Sequence, residues 1–371
     1  MTPNLRQVAG SLLVVGLGGT ELTGMERAWL RLVRPAGIIL FRRNIADARQ
    51  TRALLDEATV LGSAHSLRCV DVEGGTVDRL REALAPMPSA QAVARAARAP
   101  GKAGLAREHG ELVARAVQAF GLNTTLAPVL DLGLPDSAEV LGTRTAAATP
   151  SAVVAYARGF LSGLATRGVV GCGKHFPGLG GGTRDSHLET PAILRGARQL
   201  WREDLAPYRE LRDELAIVMV NHAAYPETPG KARPASVSRY WITTVLRNQI
   251  GYNGIAFSDD LEMGGILKIM PIEEAAVAAV RAGIDLMEIC HSPELILRAY
   301  EALIAEAERS AAFRAMLLTR AKRTALLRAK LFLVAAPRAL TARQFEALRT
   351  RILRFGETIA KAQPTAEAQT A

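Results

Sequence analysis

The sequence predicts a closed (β/α)8 barrel of the TIM type, with extra C-terminal helices packed on its exterior. Short runs rich in β-branched and aliphatic residues alternate with amphipathic helical stretches, which is typical of βα units and a parallel sheet. Eight such units fit within roughly 290 residues, a length that favours closure into a barrel. Hydrophobic residues make up 49% of the 371 residues, enough for a large core.

The elements follow one another in a regular order. Helical patterns cover residues 46–61, 105–120, 150–167, 240–250 and 272–282, and only helical patterns follow Pro293, through about Lys361. The eight predicted strands cover residues 12–17, 37–41, 67–72, 124–132, 169–174, 217–221, 255–258 and 286–289.

An open doubly wound sheet is the alternative architecture. It would place a nucleotide-type glycine fingerprint after an early strand. Residues 16–19 follow the first strand, but they lack the GxGxxG spacing, and no acidic residue stands where a ribose partner should. We predict one domain over residues 1–361 and a disordered tail over residues 362–371, which lack a core-forming pattern.

The formal net charge is +10, and its excess lies in the C-terminal helices. Residues 309–361 carry 13 basic and 2 acidic residues, which we interpret as a solvated helical face. A patch that attracts an anionic substrate is the alternative. No recognition motif or interleaved aromatic residues accompany the charge, so we predict no nucleic-acid partner.

The chain carries no pattern typical of a membrane protein or of a disulfide-bonded secreted protein. No run reaches the roughly 18 apolar residues that a span requires. The apolar run over residues 11–17 has no A-x-A-like cleavage site, so we interpret it as a strand and expect a cytoplasmic protein. Cys69, Cys172 and Cys290 are odd in number and widely spaced, and we expect buried free thiols.

Polar side chains recur where the predicted strands end, which is where barrel enzymes carry their catalytic groups. The polar residues at the strand ends predict a pocket that is rich in carboxylates and also contains two or more cationic side chains. Such a pocket indicates an enzyme that acts on a polar small molecule by acid/base or nucleophilic chemistry. Residue types alone leave several carboxylates open as the reacting group: Asp71, Glu73, Asp131, Asp259, Asp260, Glu262 and Asp285.

The loop after the fifth strand contains four glycines and then Asp185 and His187. Side chains two positions apart point the same way in an extended segment, so Asp185 can fix the tautomer of His187 and raise its basicity. A surface turn in which Asp185 caps a backbone group is the alternative. No Lys-Ser/Thr follows residues 180–182, so the glycines do not indicate a phosphate loop.

We predict no metal and no cofactor. His175, His187 and His222 could join carboxylates around an ion, but the sequence has no HExxH or HxH spacing. Lys174, beside His175, also opposes a cation.

Ordered motifs then identify a family. They are residues 39–44, the D-x-E-G-G-x-V-x-R run over 71–79, residues 127–131, K-H-F-P-G over 174–178, D-S-H over 185–187, F-S-D-D-L over 257–261, and Met263. With these motifs in this order, the sequence resembles the bacterial β-N-acetylglucosaminidases of glycoside hydrolase family 3.

The resemblance implies a retaining mechanism. Asp259, which follows Ser258, would attack the anomeric carbon and form a covalent glycosyl-enzyme, with Asp260 as the rival nucleophile. His187 would be the acid/base, oriented by Asp185, and the pKa of histidine begins near neutrality at about 6.5.

The resemblance also implies which residues bind the sugar. These are Asp71, Arg79, Arg144, Lys174 and His175, each with a buried structural ion pair as the alternative. Asp131, Asn221 and His222 would stand behind the sugar-contacting groups. We expect Glu73 to accept backbone hydrogen bonds in the turn at Gly74 and Gly75.

Some positions depart from the family pattern. The family loop commonly reads Gly-His-Gly-Asp/Asn-Thr after Phe-Pro, and Leu179, Gly181 and Gly182 replace its His, Asp/Asn and Thr. Val72 and Thr76 replace a common Gln and Arg. Asp259 and His187 are present, so we expect activity, with changes confined to loop closure, the outer subsite and the aglycone.

The resemblance implies an exo-acting hydrolase of terminal β-linked N-acetylglucosamine that works on cell-wall muropeptide fragments during recycling. The expected partner is therefore a carbohydrate, and the sequence fixes no oligomeric state. Two alternatives stay open: an N-acetylglucosaminide phosphorylase and a catalytically weakened sugar-binding protein.

Overall fold

The computed structural model describes residues 4–182, 190–231, 233–332 and 339–362. Eight strands form a closed parallel barrel, which confirms the predicted fold class, and two more form a small antiparallel hairpin. The barrel strands are β1 (Leu13–Gly16), β2 (Gly37–Leu40), β3 (Leu67–Val70), β6 (Thr124–Thr125), β7 (Val170–Phe176), β8 (Ile217–Val220), β9 (Ile255–Asp260) and β10 (Leu286–Ile289), and the hairpin is β4 (Val72–Gly74) with β5 (Val77–Asp78).

The barrel strands follow in the order β1-β10-β9-β8-β7-β6-β3-β2, with β2 closing on β1. All eight lie where the sequence predicted them, and most differ from the predicted extent by only one or two residues. β6 ends at Thr125 instead of continuing to residue 132, because Pro128 has no N–H to donate to a ladder. β7 and β9 are longer than predicted and include Lys174, His175, Asp259 and Asp260.

Local signals explain where the helices begin and end. α2 opens with a capping box between Thr23 and Glu26, and α10 ends at Gly283, whose φ of 119° suits a glycine. The helices are α1 (Leu5–Gly10), α2 (Gly24–Val33), α3 (Ala48–Val60), α4 (Ala90–Ala96), α5 (Leu105–Ala119), α6 (Pro150–Ala165), α7 (Ala197–Arg202), α8 (Ala206–Glu210), α9 (Gly264–Leu267), α10 (Ile272–Ala282), α11 (Pro293–Arg309), α12 (Ala311–Leu331) and α13 (Ala342–Lys361), together with a π-helix over Tyr240–Gln249 and short 3-10 turns.

The last three helices pack on the outside of the barrel, as predicted. α11 lies against α10, α1 and α2, α12 lies against α11, and α13 lies against α4 and α5. Arg328 departs from the predicted solvated face. It is buried and donates hydrogen bonds to the carbonyls of Ala36 and Ala64, both at 3.0 Å. The predicted tail beyond Ala362 lies outside the described residues.

The core has two layers. A larger layer fills the space between the sheet and the helices, and a smaller one fills the barrel interior with side chains such as Val14, Cys69, Cys172 and Phe257. All three cysteines are free and buried, as expected. Within the described part of the chain, no helix combines the length and the apolar character that a bilayer crossing requires.

Candidate active site

The C-terminal ends of the barrel strands surround a cavity of about 410 Å³. Side chains alternate along each strand, so interior apolar positions lead directly to polar ones at the cavity. Cys69 is followed two residues later by Asp71, and Cys172 by Lys174. The cavity brings together six of the predicted site residues: Asp71, Arg79, Arg144, Lys174, His175 and Asp259.

A buried ion-pair cluster forms one wall. Lys174 Nζ lies 2.8 Å from Asp71 Oδ1 and 2.6 Å from Glu73 Oε1. The Arg144 guanidinium binds both oxygens of Glu73, at 2.8 and 2.9 Å. Arg79 Nη2 lies 3.5 Å from Asp71 Oδ2. Each cation is thereby fixed in place while its residue still lines the cavity.

The role expected for Glu73 is therefore wrong. Its carboxylate accepts from Arg144 and Lys174 and not from the backbone of the turn. The hairpin of β4 and β5 explains this, because Gly74 and Gly75 have φ of 88° and 62° and turn the chain sharply after Glu73. An alanine Cβ at Gly74 would lie 2.0 Å from the Pro88 carbonyl oxygen, so this turn requires glycine.

Charge compensation sets the ionisation of this cluster. Burial alone would raise the pKa of Glu73, but Arg144 and Lys174 outweigh it and hold the pKa well below its usual range. Burial alone would lower the pKa of Lys174, but Asp71 and Glu73 raise it above its ordinary value. Both groups are thus charged at neutral pH.

Hydrogen bonds to neighbouring residues fix the orientation of His175. Its Nδ1 lies 2.6 Å from Asp131 Oδ2, and its Nε2 is directed to Arg144 Nη2 at 3.3 Å. Asp131 also accepts from the backbone N–H of Leu179 at 2.7 Å. Asn221 Nδ2 donates to the His175 carbonyl oxygen at 3.0 Å. Asp131 and Asn221 therefore contact a residue that lines the cavity and do not line the cavity themselves.

His222 supports the next strand. Its Nδ1 lies 2.7 Å from Ser236 Oγ, and its Nε2 lies 2.9 Å from the backbone oxygen of Asp260. Burial lowers the pKa of His222, which favours a neutral ring that donates from Nε2 and accepts from the serine hydroxyl. His222 thus fixes the end of β9 without lining the cavity.

Asp259 and Asp260 occupy the last two positions of β9 and both line the cavity. Ile255 and Phe257 face the barrel interior, and the register with β10 then shifts by one residue, so that Asp260 pairs with Glu288. Asp260 accepts from the backbone N–H of Glu262 at 3.0 Å and lies 3.6 Å from His291 Nδ1. Its hydrogen bond raises the pKa of His291.

Asp185 and His187 lie outside the described residues, but the flanking segments are described. On one side Leu179 lines the cavity. On the other, Thr190 Oγ1 donates to the carbonyl of Gly265 at 2.6 Å, in the segment that follows β9. Both flanks of this segment are therefore anchored at the same face of the barrel as Asp259.

By distance alone, Asp260, Cys290 and His291 could share an ion, since one ligand atom from each lies within 4.8 Å of the others. Two features oppose this. Arg43 donates to the Cys290 carbonyl at 2.6 Å and places a fixed positive charge beside the group. Cys290 Sγ also donates to Glu288 Oε1 at 3.0 Å, so the sulfur is engaged as a thiol.

The sequence reasoning missed one carboxylate at this site, Glu288, and left the role of another, Glu262, open. Glu262 accepts from the backbone N–H groups of Cys290 and Ser292, at 3.0 and 2.6 Å, and so ties the segment after β9 to the segment after β10. Glu288 lines the cavity from within β10. A charged residue in the otherwise apolar run 286–290 was the signal that could have found it.

A set of paired carboxylates and cations around a cavity suits a ligand with many hydroxyl groups, because charged partners make strong hydrogen bonds to them. A carboxylate that lines the cavity can in addition attack a bound carbon electrophile.

Comparisons with known proteins agree with this arrangement. The model of the glycosyl hydrolase family 3 N-terminal domain matches residues 4–324. A β-hexosaminidase of Alkalilimnicola ehrlichii is 40% identical over 287 residues, which cover 76% of this chain and 82% of that protein.

Comparison with solved structures indicates the same family. A glycoside hydrolase family 3 β-N-acetylglucosaminidase from Paenibacillus sp. str. FPU-7 has a TM-score of 0.85 and 30% identity, over 95% of this chain and 69% of that chain. NagZ from Neisseria gonorrhoeae, in complex with N-trifluoroacetyl-D-glucosamine, has a TM-score of 0.71 and 31% identity, over 85% of this chain and 98% of that chain. This chain therefore belongs to glycosyl hydrolase family 3, the family that its strand-end motifs resemble.

Proposed function

We propose that this protein is a retaining exo-β-N-acetylglucosaminidase that hydrolyses terminal β-linked N-acetylglucosamine through a covalent glycosyl intermediate on Asp259. The observation that carries the proposal is the position of Asp259 at the end of β9, where it lines a cavity together with Asp71, Arg79, Arg144 and Lys174. The relatives named β-hexosaminidase or β-N-acetylglucosaminidase support the same substrate class.

In this proposal the ion-pair cluster binds the sugar. Asp71 and the cations paired with it offer acceptors and donors from fixed positions, so little entropy is lost when a hydroxyl replaces water. His175, oriented by Asp131, presents Nε2 at the same wall. The cavity, at about 410 Å³, is suited to one sugar unit more than to a chain, which agrees with exo-action.

Asp259 is the nucleophile in the proposal and His187 is the acid/base, with Asp185 as its orienting partner. The anchored flanks at Leu179 and Thr190 support this, since only ten residues separate them and both flanks lie at the cavity face. His187 would protonate the leaving oxygen and then activate water to release the sugar from Asp259.

Muropeptide fragments released during cell-wall recycling in the cytoplasm are the proposed natural substrates. The support is the family resemblance, together with the N-acetylglucosamine analogue that the Neisseria NagZ structure contains.

Turnover of 4-nitrophenyl β-N-acetylglucosaminide, with and without inorganic phosphate, tests the proposal. A hydrolase releases free N-acetylglucosamine at a rate that phosphate leaves unchanged. Formation of sugar 1-phosphate would assign a phosphorylase instead. Binding of N-acetylglucosamine without turnover would assign a sugar-binding protein.

A further inference from the structure

Glu288 occupies an unusual position for a carboxyl group. It lies on β10 between Leu286 and Cys290, both of which face the barrel interior, so alternation directs Glu288 to the same interior face. Its residue is only 3% exposed, and it lines the floor of the cavity.

One of its two oxygens has no hydrogen-bond partner. Oε1 accepts from Cys290 Sγ at 3.0 Å. Oε2 is buried and makes no hydrogen bond to any part of the chain that the structure describes. Leaving such an atom unpaired is costly, so its presence at a ligand cavity points to a partner that arrives with the ligand.

The surroundings of Glu288 disfavour a negative charge. Burial, and then Asp260, Asp71 and Asp259, raise the pKa of the Glu288 carboxyl well above its ordinary value. Lys174 is already paired with Asp71 and Glu73, and Arg43 donates to a backbone carbonyl. The titratable and charged groups around it are Asp259 and Asp260 from β9, Asp71 after β3, Cys69 of β3, Cys172 and Lys174 of β7, Cys290 and His291 after β10, and Arg43 after β2.

We propose that Glu288 is a substrate-contacting residue that, as a neutral carboxylic acid, donates a hydrogen bond from Oε2 to an oxygen of the sugar on the cavity floor. The inference rests on the proposed function, since it assumes that a sugar binds there. It adds a residue that neither the motifs nor the ion-pair cluster identified. A neutral donor also avoids a third negative charge beside Asp259 and Asp260.

Two variants separate this role from a purely structural one. Glu288→Gln keeps a neutral donor of the same shape, whereas Glu288→Leu removes the donor. Loss of one hydrogen bond predicts about a tenfold decrease in kcat/KM for Glu288→Leu on the nitrophenyl substrate. The decrease in kcat/KM for Glu288→Gln should be smaller than that by a factor of several. Binding of N-acetylglucosamine, measured by calorimetry, should weaken in the same order. The interior swap Leu286→Met, outside the cavity, is the control and should leave KM unchanged.

The pH dependence of stability tests the neutral state without any activity assay. A raised pKa in the folded state means that wild type loses stability relative to Glu288→Gln as the pH rises above the unfolded value of about 4.3. The Tm advantage of Glu288→Gln should therefore be small near pH 5 and should grow by several degrees toward pH 8.

The outcomes that would overturn the role of Glu288 differ from the outcome that would overturn the proposed function. A Tm difference between Glu288→Gln and wild type that does not grow with pH overturns the neutral state of Glu288. A Glu288→Gln variant whose kcat/KM falls as much as that of Glu288→Leu also overturns it. Unchanged binding of N-acetylglucosamine in a folded Glu288→Leu protein overturns the substrate contact. A wild type that does not cleave the nitrophenyl substrate defeats the proposed function, while the Tm comparison still measures the state of Glu288.

Discussion

At the residue scale, Asp259 and Asp260 are neighbours in sequence but have different surroundings. Both line the cavity, and Asp259 Oδ1 accepts from the backbone N–H of Asp260 at 3.0 Å. The Asp260 carboxylate is engaged with the backbone N–H of Glu262 and lies near His291. The rivalry between the two residues as nucleophile follows from their adjacency, and the family resemblance together with the engagement of Asp260 favours Asp259.

Replacing each aspartate by its amide isostere distinguishes them. An amide cannot attack the anomeric carbon, so Asp259→Asn should lose about 10³-fold or more in kcat, on the order of 4 kcal/mol of barrier. Asp260→Asn, the matched control, should lose less because its role is to hold the segment after β9. Steady-state kinetics on the nitrophenyl substrate provide the measurement, and an inactive Asp260→Asn beside an active Asp259→Asn would reverse the assignment.

Glu73 compensates two buried cations, and its removal should be costly. Glu73→Gln leaves Arg144 and Lys174 with less counter-charge and should lower the free energy of unfolding by about 3–5 kcal/mol. The matched control is Glu108→Gln, whose pair with Arg351 is 3.4 Å long and half exposed, and which should change stability by about 0–1 kcal/mol. Urea unfolding at pH 7 measures both.

The pH dependence of the Glu73 effect has a definite sign. The pKa of Glu73 is depressed in the folded state, so its stabilisation is present above the unfolded value of about 4.3 and is lost as the pH falls below it. The gap between wild type and Glu73→Gln should stay constant from pH 7 to 5 and narrow only below about pH 4. A gap that already narrows near neutrality would contradict the buried ion pair.

At the element scale, the hairpin of β4 and β5 positions Glu73 through its glycine turn. Gly74 combines a φ of 88° with close approach to the Pro88 carbonyl, whereas Gly101 has a φ of 75° and open space around its Cα. The two positions therefore share the backbone requirement and differ only in packing.

Alanine substitutions at these two glycines measure that packing. Both variants pay the cost of positive φ, about 1–2 kcal/mol, and Gly74→Ala should lose about 1–3 kcal/mol more because its Cβ meets the backbone. Activity should fall in Gly74→Ala alone, since the turn carries Glu73. Equal stability and activity of the two variants would show that the turn does not position the cluster.

The segment that carries Asp185 and His187 is the second element with a direct test. General acid help matters most when the leaving group is poor, so His187→Ala should slow a natural disaccharide far more than the nitrophenyl substrate. The glycosyl intermediate should then accumulate, giving a burst and a lowered KM, and azide should restore turnover because it needs no base. Stopped-flow and steady-state rates measure this pattern.

Asp185→Asn is the matched comparison. It should show a weaker form of the same pattern, because it only misorients the imidazole. Equal slowing of both substrates in His187→Ala, without a burst or azide rescue, would mean that another group is the acid.

At the scale of the whole molecule, the barrel could be predicted because each strand is a short apolar run at a regular spacing. The site was less predictable. Asp71, Lys174 and Asp259 carry a local signal, since each stands two positions after an interior apolar residue of its strand run. Glu73 was misassigned because its partners, Arg144 and Lys174, lie 71 and 101 residues further along the chain, and only barrel closure brings them together.

The proposed mechanism also predicts independence from metals, since in it protein groups supply both the nucleophile and the acid/base. Exhaustive treatment with a chelator should leave kcat and KM unchanged. A loss of activity that a single divalent ion restores would require metal ligands, and the group Asp260, Cys290 and His291 would be the first to mutate.

The central claim is that Asp259 carries the sugar between the two chemical steps. The most direct test is incubation with a fluorinated N-acetylglucosaminide substrate that turns over slowly. Mass spectrometry of the intact protein and of its peptides then detects and locates the attached sugar. The account predicts a mass increase of one fluorinated sugar, located on the side chain of Asp259 and absent in Asp259→Asn. A sugar attached to Asp260, or full consumption of the substrate with no adduct at any time point, would contradict it.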